Sequence, residues 1–500
     1  MRLRNARLTL GKRCFAPFVL GLALLIQSRA VSEEPVQLEQ NVRRLFFDDD
    51  LFETRQGLVR AVNPPVKHPR NPVLRREHPW EGFRVQVYGT VIYDPERDLF
   101  KAWYMNIPKT AAEKITVQGQ RRPGHATLVS YATSTDGVDW QKPVLNLVDF
   151  EGSTANNMVG PDMYNPEGFS VLYEPQEPDP ERRYKAFYWD HGYGPFIMHE
   201  GMEIYGSGPR DGMHVAFSAD GIRWHPYEGN PVMNFGSDTG QVVLYDPAIK
   251  RYVAYGRFGA GGRKVARTES EDFIHWSEPQ LVLEPDEQDG PNAQFYGISV
   301  GLYEGIYVGM LWMFWIESGS VGRIDFQLCH SRDGIRWIRD PNRSVFIPNG
   351  VDGEWDSGDM RAACRPVVLD DRILIYYAGS AAPHGLGGKL NIGMDIGLAT
   401  LRRDGWVSLD AGDEEGVLVT KPFLCPGGNL YVNVDARGGS FSALLLGDGL
   451  EPNASVPITD DRLRRCVEFA TATNADLSGK PVRLKLTLRN AKLYSFWFER

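Results

Sequence analysis

Ser134-Thr135-Asp136-Gly137-Val138-Asp139-Trp140 is the stretch from which the fold is read, because the chain repeats it. It returns as Ser218-Ala219-Asp220-Gly221-Ile222-Arg223-Trp224, as Ser270-Glu271-Asp272-Phe273-Ile274-His275-Trp276 and as Ser331-Arg332-Asp333-Gly334-Ile335-Arg336-Trp337. A shortened copy follows at Arg403-Asp404-Gly405-Trp406. Asp-Gly between β-rich flanks makes a tight hairpin turn, since glycine accepts a positive φ and aspartate bonds its own backbone. Ahead of each copy stands an apolar strand, a turn and an aromatic-rich strand: 90–93 with 100–105, 170–173 with 184–189, 241–245 with 252–255, 297–302 with 306–315, and 365–369 with 373–377. Two strands, a variable loop and two more strands make a four-stranded antiparallel blade. Five such units predict an all-β protein built on a five-bladed β-propeller.

Outward from the repeat, the two ends of the chain read differently. Asn71-Pro72-Val73-Leu74 resembles the outer-strand stretch Asn230-Pro231-Val232-Met233, so the N-terminal segment is predicted to add a closing outer strand to the last blade. From about 423 the Asp-Gly turns stop and short alternating strands such as 482–488 take over, which suits a small C-terminal β-sandwich. At the other end, 1–13 is basic, 14–26 is apolar apart from Pro17, and Ser28-Arg29-Ala30 offers a cleavage site. That order is a secretory signal peptide, with an uncleaved anchor as the alternative. The expected organisation is therefore 1–30 signal peptide, 31–80 closing segment, 81–422 propeller and 423–500 sandwich, in a secreted or periplasmic protein.

Composition excludes several classes. Of 500 residues 42% are hydrophobic, enough for a sizeable core, and 11% are aromatic. Beyond residue 30 the chain carries 49 basic against 64 acidic residues, a net charge of −15. Such a body repels nucleic acid and anionic membrane, and no later stretch is long enough to span a bilayer. Cys329, Cys364, Cys425 and Cys466 have neither metal-ligand nor CxxC spacing and read as buried free thiols.

In such a ring the repeated Asp and Trp sit at one end, as structural hairpin tips. Chemistry belongs at the other end, in the loops that lead into each innermost strand. These loops carry Glu81, then Asp162 and Glu167, Asp238, Asp289, and finally Glu354, Asp356 and Asp359. Tyr88, Tyr164, Phe235, Tyr296 and Trp355 lie among them, and sugar rings stack on such faces. Glycosidic cleavage needs one carboxyl group to protonate the leaving oxygen and another to attack or to activate water. The catalytic candidates are Glu167, Asp238, Glu81 and Asp356; the substrate-binding candidates are Tyr88, Tyr164, Asp289, Tyr296, Trp355 and Arg361. The rim loops 106–125 and 190–212 add His191, His199, Glu200 and Glu203. Each of these is also readable as an ordinary solvated loop residue, and Arg361 as half of a structural ion pair.

These features resemble the five-bladed propeller glycoside hydrolases of families 32 and 43, above all secreted bacterial family-32-like proteins. The turn itself is similar to the Asp-box of sialidases, which is structural. The family 32 motifs Trp-Met-Asn-Asp-Pro-Asn-Gly and Glu-Cys are absent, and Arg339-Asp340-Pro341 follows Trp337 in an outer strand, so fructan specificity does not carry over. By position, the resemblance places catalytic carboxylates at Glu81, Glu167 and Asp238. It also allows a calcium ion in the channel, although no ligand set stands out and no cofactor is expected. The predicted function is an exported glycoside hydrolase acting on a carbohydrate substrate. The alternative is a non-catalytic carbohydrate-binding propeller. A glycoside phosphorylase ranks last, because no paired basic cluster marks a phosphate site.

Overall fold

The computed structural model describes residues 34–110, 112–192, 194–199, 202–206, 208–447, 453–469 and 477–500. The proposed signal segment lies outside them. Five antiparallel sheets follow one another along the chain. The first comprises Arg84–Asp94, Leu99–Ile107, Leu128–Ser134 and Met158–Val159; the second Pro166–Tyr173, Tyr184–Asp190, Gly212–Ser218 and His225–Pro226. The third comprises Val242–Asp246, Arg251–Gly256, Val265–Ser270 and Gln280–Leu283. In the fourth, Ala293–Tyr303, Ile306–Ser318 and Val321–Ser331 are long, and both Ile338–Arg339 and Val345–Ile347 pair with the last of them. The fifth places Asp359–Ala362 and Val367–Val368 on Arg372–Ser380, followed by Asp395–Arg402.

Hydrogen bonds between first strands carry one sheet into the next. Val171 N donates to Thr90 Oγ1 (2.8 Å), Val243 N to Ser170 Oγ (3.1 Å), and Thr239 Oγ1 to Tyr296 O (2.9 Å). Val300 N donates to Cys364 O and Cys364 N to Gly89 O, each at 3.0 Å. The last bond returns to the first sheet, so the sheets form a closed ring. The edge of the fifth sheet is covered by Val66–Lys67, paired with Thr400 and Ala399, and Leu74 bridges Ile396. The closing strand thus begins several residues before the Asn71–Leu74 stretch from which the sequence predicts it.

The repeated turns wedge between sheets. Asp136 Oδ1 accepts from Val138 N and Asp139 N (both 2.8 Å), and Asp220, Asp272 and Asp333 do the same at their own turns. Burial alone would raise these carboxyls, but the backbone donors outweigh it and hold all four below their ordinary value. The turn carbonyl faces the preceding sheet: Gly137 O accepts from Tyr376 OH (2.7 Å), Gly221 O from Trp103 Nε1 (2.6 Å) and Gly334 O from Tyr255 OH (2.9 Å). A Cβ on Gly137, at φ 76°, would come within 2.6 Å of that hydroxyl. Phe273 occupies the same left-handed position (φ 71°) in the third sheet, where its ring packs among Phe217, Tyr252 and Trp276. Asp220→Ala removes both backbone bonds, and the expected loss is about 1–2 kcal/mol. Denaturant unfolding measures it.

Two further sheets complete the chain. One contains Pro481–Arg489, Gly416–Thr420, Phe52–Gln56 and Ser440–Leu446; the other contains Ala491–Glu499, Asn429–Asp435, Val407–Ala411 and Val59–Val62. Alternating burial along Pro481–Arg489 turns Val482, Leu484, Leu486 and Leu488 inward, where they share one core with Val432, Leu493 and Phe496. That core continues into Tyr303, Met310 and Trp406 of the ring side. Strands from 52–62 and 407–420 therefore pair here, well before residue 423. Cys329, Cys364, Cys425 and Cys466 are free, and no helix of the described residues is long and apolar enough to cross a membrane.

Candidate active site

Antiparallel pairing sets the leading loops and the second-to-third-strand connections at one end of the ring, opposite the Asp-Gly turns. The candidate carboxylates divide there into two groups. Glu81 is fully buried and accepts from Tyr104 OH (2.6 Å), Lys142 Nζ (2.9 Å), Glu77 N (3.0 Å) and His78 N (3.2 Å). Asp289 is held by both arms of Arg339 (2.7 and 2.6 Å). Asp356 is buried against Lys67 Nζ (2.7 Å) and Tyr377 OH (2.9 Å), and Trp355 packs on that same tyrosine. These three carboxylates fasten a leading loop to its own sheet or to the closing strand. Of the sequence candidates, Glu81, Asp289 and Asp356 thus take their ion-pair and hydrogen-bond partners inside the fold, and Trp355 packs beside Asp356 on the tyrosine it accepts from. Glu81→Leu leaves the Tyr104 hydroxyl and the backbone N–H groups of Glu77 and His78 without their carboxylate acceptor, while Lys142 keeps Glu77 and Arg75 O, so the expected cost is about 2–4 kcal/mol of stability. Thermal unfolding tests it.

Glu167 and Asp238 behave differently. Glu167 is 17% exposed and lies 3.5 Å from His191 Nε2; Asp238 is 67% exposed and lies 3.0 Å from Arg257 Nη2. Their loops adjoin. A Cβ on Gly168 (φ 64°) would fall 1.6 Å from Gln241 Oε1, so only glycine lets the second leading loop lie against the third. Trp189 packs against His191 with ring centroids 4.1 Å apart and flanks Gly236, giving this corner a partly exposed indole. His191 loses affinity for its proton through burial, yet the Glu167 carboxylate outweighs that and raises it above its ordinary value. Asp162 and Glu354 are exposed, and Tyr164 is buried beneath Arg122. His199, Glu200 and Glu203 fall where side chains lie outside the described residues.

The centre of this end is cationic. Arg361 makes a bidentate pair with Asp359 (3.0 and 2.7 Å), donates to Gln86 Oε1 (3.0 Å) and lies over the rings of Tyr88 and Tyr296. Arg257 and Arg263 also lie over Tyr296, at 5.2 and 5.5 Å, and His384 meets its edge at 4.8 Å. Tyr88 stacks on Trp312 as a buried floor, so neither candidate tyrosine offers an open stacking face. Burial, reinforced by Arg361, lowers the Arg84 guanidinium to about 10. The sequence reading missed Arg84, Arg257, Arg263 and His384 because they sit on four different loops and strands with no common motif. A calcium ion does not fit here: three guanidinium groups surround the ring that would face it, and the described residues contain no group of three or more His, Cys, Asp or Glu able to hold a metal. Asp325, which burial pushes up to about 7, faces away from this cluster: it pairs with Met313 in the core between sheets, whereas Phe314 on the opposite face touches His384.

No protein-family model matches the chain, nor does any curated protein. Among solved structures, a glycosyl hydrolase from Bacteroides ovatus matches at 13% identity and TM-score 0.45, over 68% of this chain and 94% of that one. An N-acetylgalactosamine deacetylase from F. plautii, in complex with blood group B trisaccharide, matches at 15% and 0.41, over 74% and 96%. A β-fructofuranosidase from Schwanniomyces occidentalis matches at 11% and 0.39, over 87% and 97%. These likenesses assign no activity to this chain.

Proposed function

We propose that the five sheets are the blades of a five-bladed β-propeller carrying a C-terminal β-sandwich, and that the chain is an exported glycoside hydrolase. One observation carries the chemistry. Glu167 and Asp238, on adjoining leading loops, are carboxylates that combine access to the open end with a titratable or cationic partner, while Glu81, Asp289 and Asp356 are locked into the fold. Glu167 is assigned as proton donor to the leaving oxygen as the glycosidic C–O bond breaks, with His191 beside it as the proton reservoir. Asp238 supplies the electron pair, to the anomeric carbon or to a water that attacks it. Arg257 orients that carboxylate, and Trp189 offers a face for a sugar ring.

Two measurements test the reading. Incubating the mature protein with a panel of oligo- and polysaccharides, sulfated and uronate-containing ones included, is expected to release sugar. Binding without release from any glycan replaces the hydrolase with a carbohydrate-binding propeller. The pH–rate profile supplies the second. Glu167 holds His191 protonated above its ordinary 6.5, so activity is expected to persist through that pH and fall on the alkaline side as the proton is lost. His191→Gln is expected to remove that alkaline limb; an unchanged limb overturns the role of His191.

A further inference from the structure

The cationic centre contains more donors than the protein satisfies. The Arg84 side chain forms no ion pair or hydrogen bond among the described residues, and its Nε is buried without a partner. Arg263 donates once, to Gln294 Oε1 (2.8 Å), has no carboxylate partner, and its Nε is likewise buried and unpartnered. Both ring nitrogens of His384 and the hydroxyl of Tyr88 are buried without partners. The arginines and His384 meet around Tyr296 and Arg361. Counting charges gives Arg84, Arg257, Arg263 and Arg361 against Asp238 and Asp359, an excess of two positive charges at one mouth. Asp359 cannot serve them, because both its oxygens already face Arg361. Unsatisfied buried donors are costly and rare, and several in one place mark an absent acceptor. Guanidinium forks match the planar or tetrahedral oxygens of carboxylate, sulfate or phosphate.

We infer that Arg84, Arg263 and His384, backed by Arg361, form an oxyanion subsite that receives a sulfate or carboxylate group carried by the sugar substrate. This inference rests on the site proposed above, since the subsite shares its mouth with Asp238, and it makes the substrate an anionic glycan. Neutral sugars leave these donors unpaired on closing the mouth, so the same groups select against them.

The test is calorimetric, so that binding is read apart from cleavage, and uses the Asp238→Asn protein to prevent turnover. Titrants are sulfated and uronate-containing oligosaccharides, their desulfated or carboxyl-reduced counterparts, and inorganic sulfate and phosphate. The expected result is at least tenfold tighter binding of the anionic oligosaccharides than of their neutral counterparts, weakening as salt rises. In Arg84→Gln that preference is lost and in Arg84→Lys partly restored, with unchanged melting temperature in both. Inorganic phosphate bound as tightly as the anionic glycan, together with phosphate-dependent cleavage by the wild type, overturns the sugar-borne source and leaves a free oxyanion as the occupant. Equal binding of charged and neutral glycans, insensitive to Arg84→Gln and to Arg263→Gln, overturns the subsite. Anion-selective binding with no sugar release by the wild type sinks the hydrolase reading and leaves the subsite standing.

Discussion

Asp238→Asn is expected to abolish sugar release, by three orders of magnitude or more, while the protein folds and melts as the wild type does. The side chain is largely exposed and makes one ion pair, to Arg257, so the amide removes little from the fold. What it removes is the carboxylate that must attack the anomeric carbon or take a proton from the attacking water, and an amide can supply neither the electron pair nor the base. Glu167→Gln is expected to fall in parallel, because an amide has no proton to give to the leaving oxygen. Substrates with a good leaving group, which need less protonation, are expected to recover part of the rate in Glu167→Gln and none in Asp238→Asn. Steady-state rates on an activated aryl glycoside and on the natural linkage distinguish the two roles. Turnover unchanged in both variants places the reaction elsewhere.

The second large effect falls on stability. Asp359 and Arg361 are both buried, 3% and 5% exposed, and each is the other's main partner. Burial by itself would raise the Asp359 carboxyl, but Arg361 outweighs it and holds the group below its ordinary 3.8; the same carboxylate holds Arg361 well above its own ordinary value. Asp359→Asn leaves a guanidinium buried with Gln86 as its remaining acceptor, an expected cost of about 3–5 kcal/mol. In a chain of this size that lowers the melting midpoint by roughly 3–5 °C. Since the folded-state value is the lower one, the pair's contribution is fully present above the unfolded carboxylate pKa. It is lost as pH falls through the folded value, so the wild type should be destabilised by acid below about pH 4 more steeply than Asp359→Asn. Asp359→Leu combined with Arg361→Met is expected to regain most of the stability, because an apolar pair leaves no buried charge unpartnered. The same double variant should lose anionic-glycan binding, which separates the structural use of the pair from its place in the subsite.

The sequence by itself determined the order of elements. Period-two apolar strands and the Asp-Gly-x-x-Trp turns are local signals, written within seven residues of each other, and Asp136, Asp220, Asp272 and Asp333 satisfy their own turns as that pattern requires. It also singled out Glu167 and Asp238 as candidates, since both run directly into an innermost strand. What it left undecided was which leading-loop carboxylates face a ligand and which face the protein. Glu81 and Glu167 look alike along the chain, but Lys142 lies 61 residues from Glu81 and Lys67 lies 289 from Asp356, so neither partnership leaves a trace in local spacing. The cationic mouth is the same case in reverse: Arg84, Arg263, Arg361 and His384 are ordinary residues one by one, and only ring closure sets them around Tyr296, with donors of Arg84 and Arg263 and both nitrogens of His384 unpaired. Local hydrogen bonding and hydrophobic period fix strands and turns. Charge is read over distances that only the folded chain defines, so the tertiary structure decides which charges hold the fold and which stay without a protein partner.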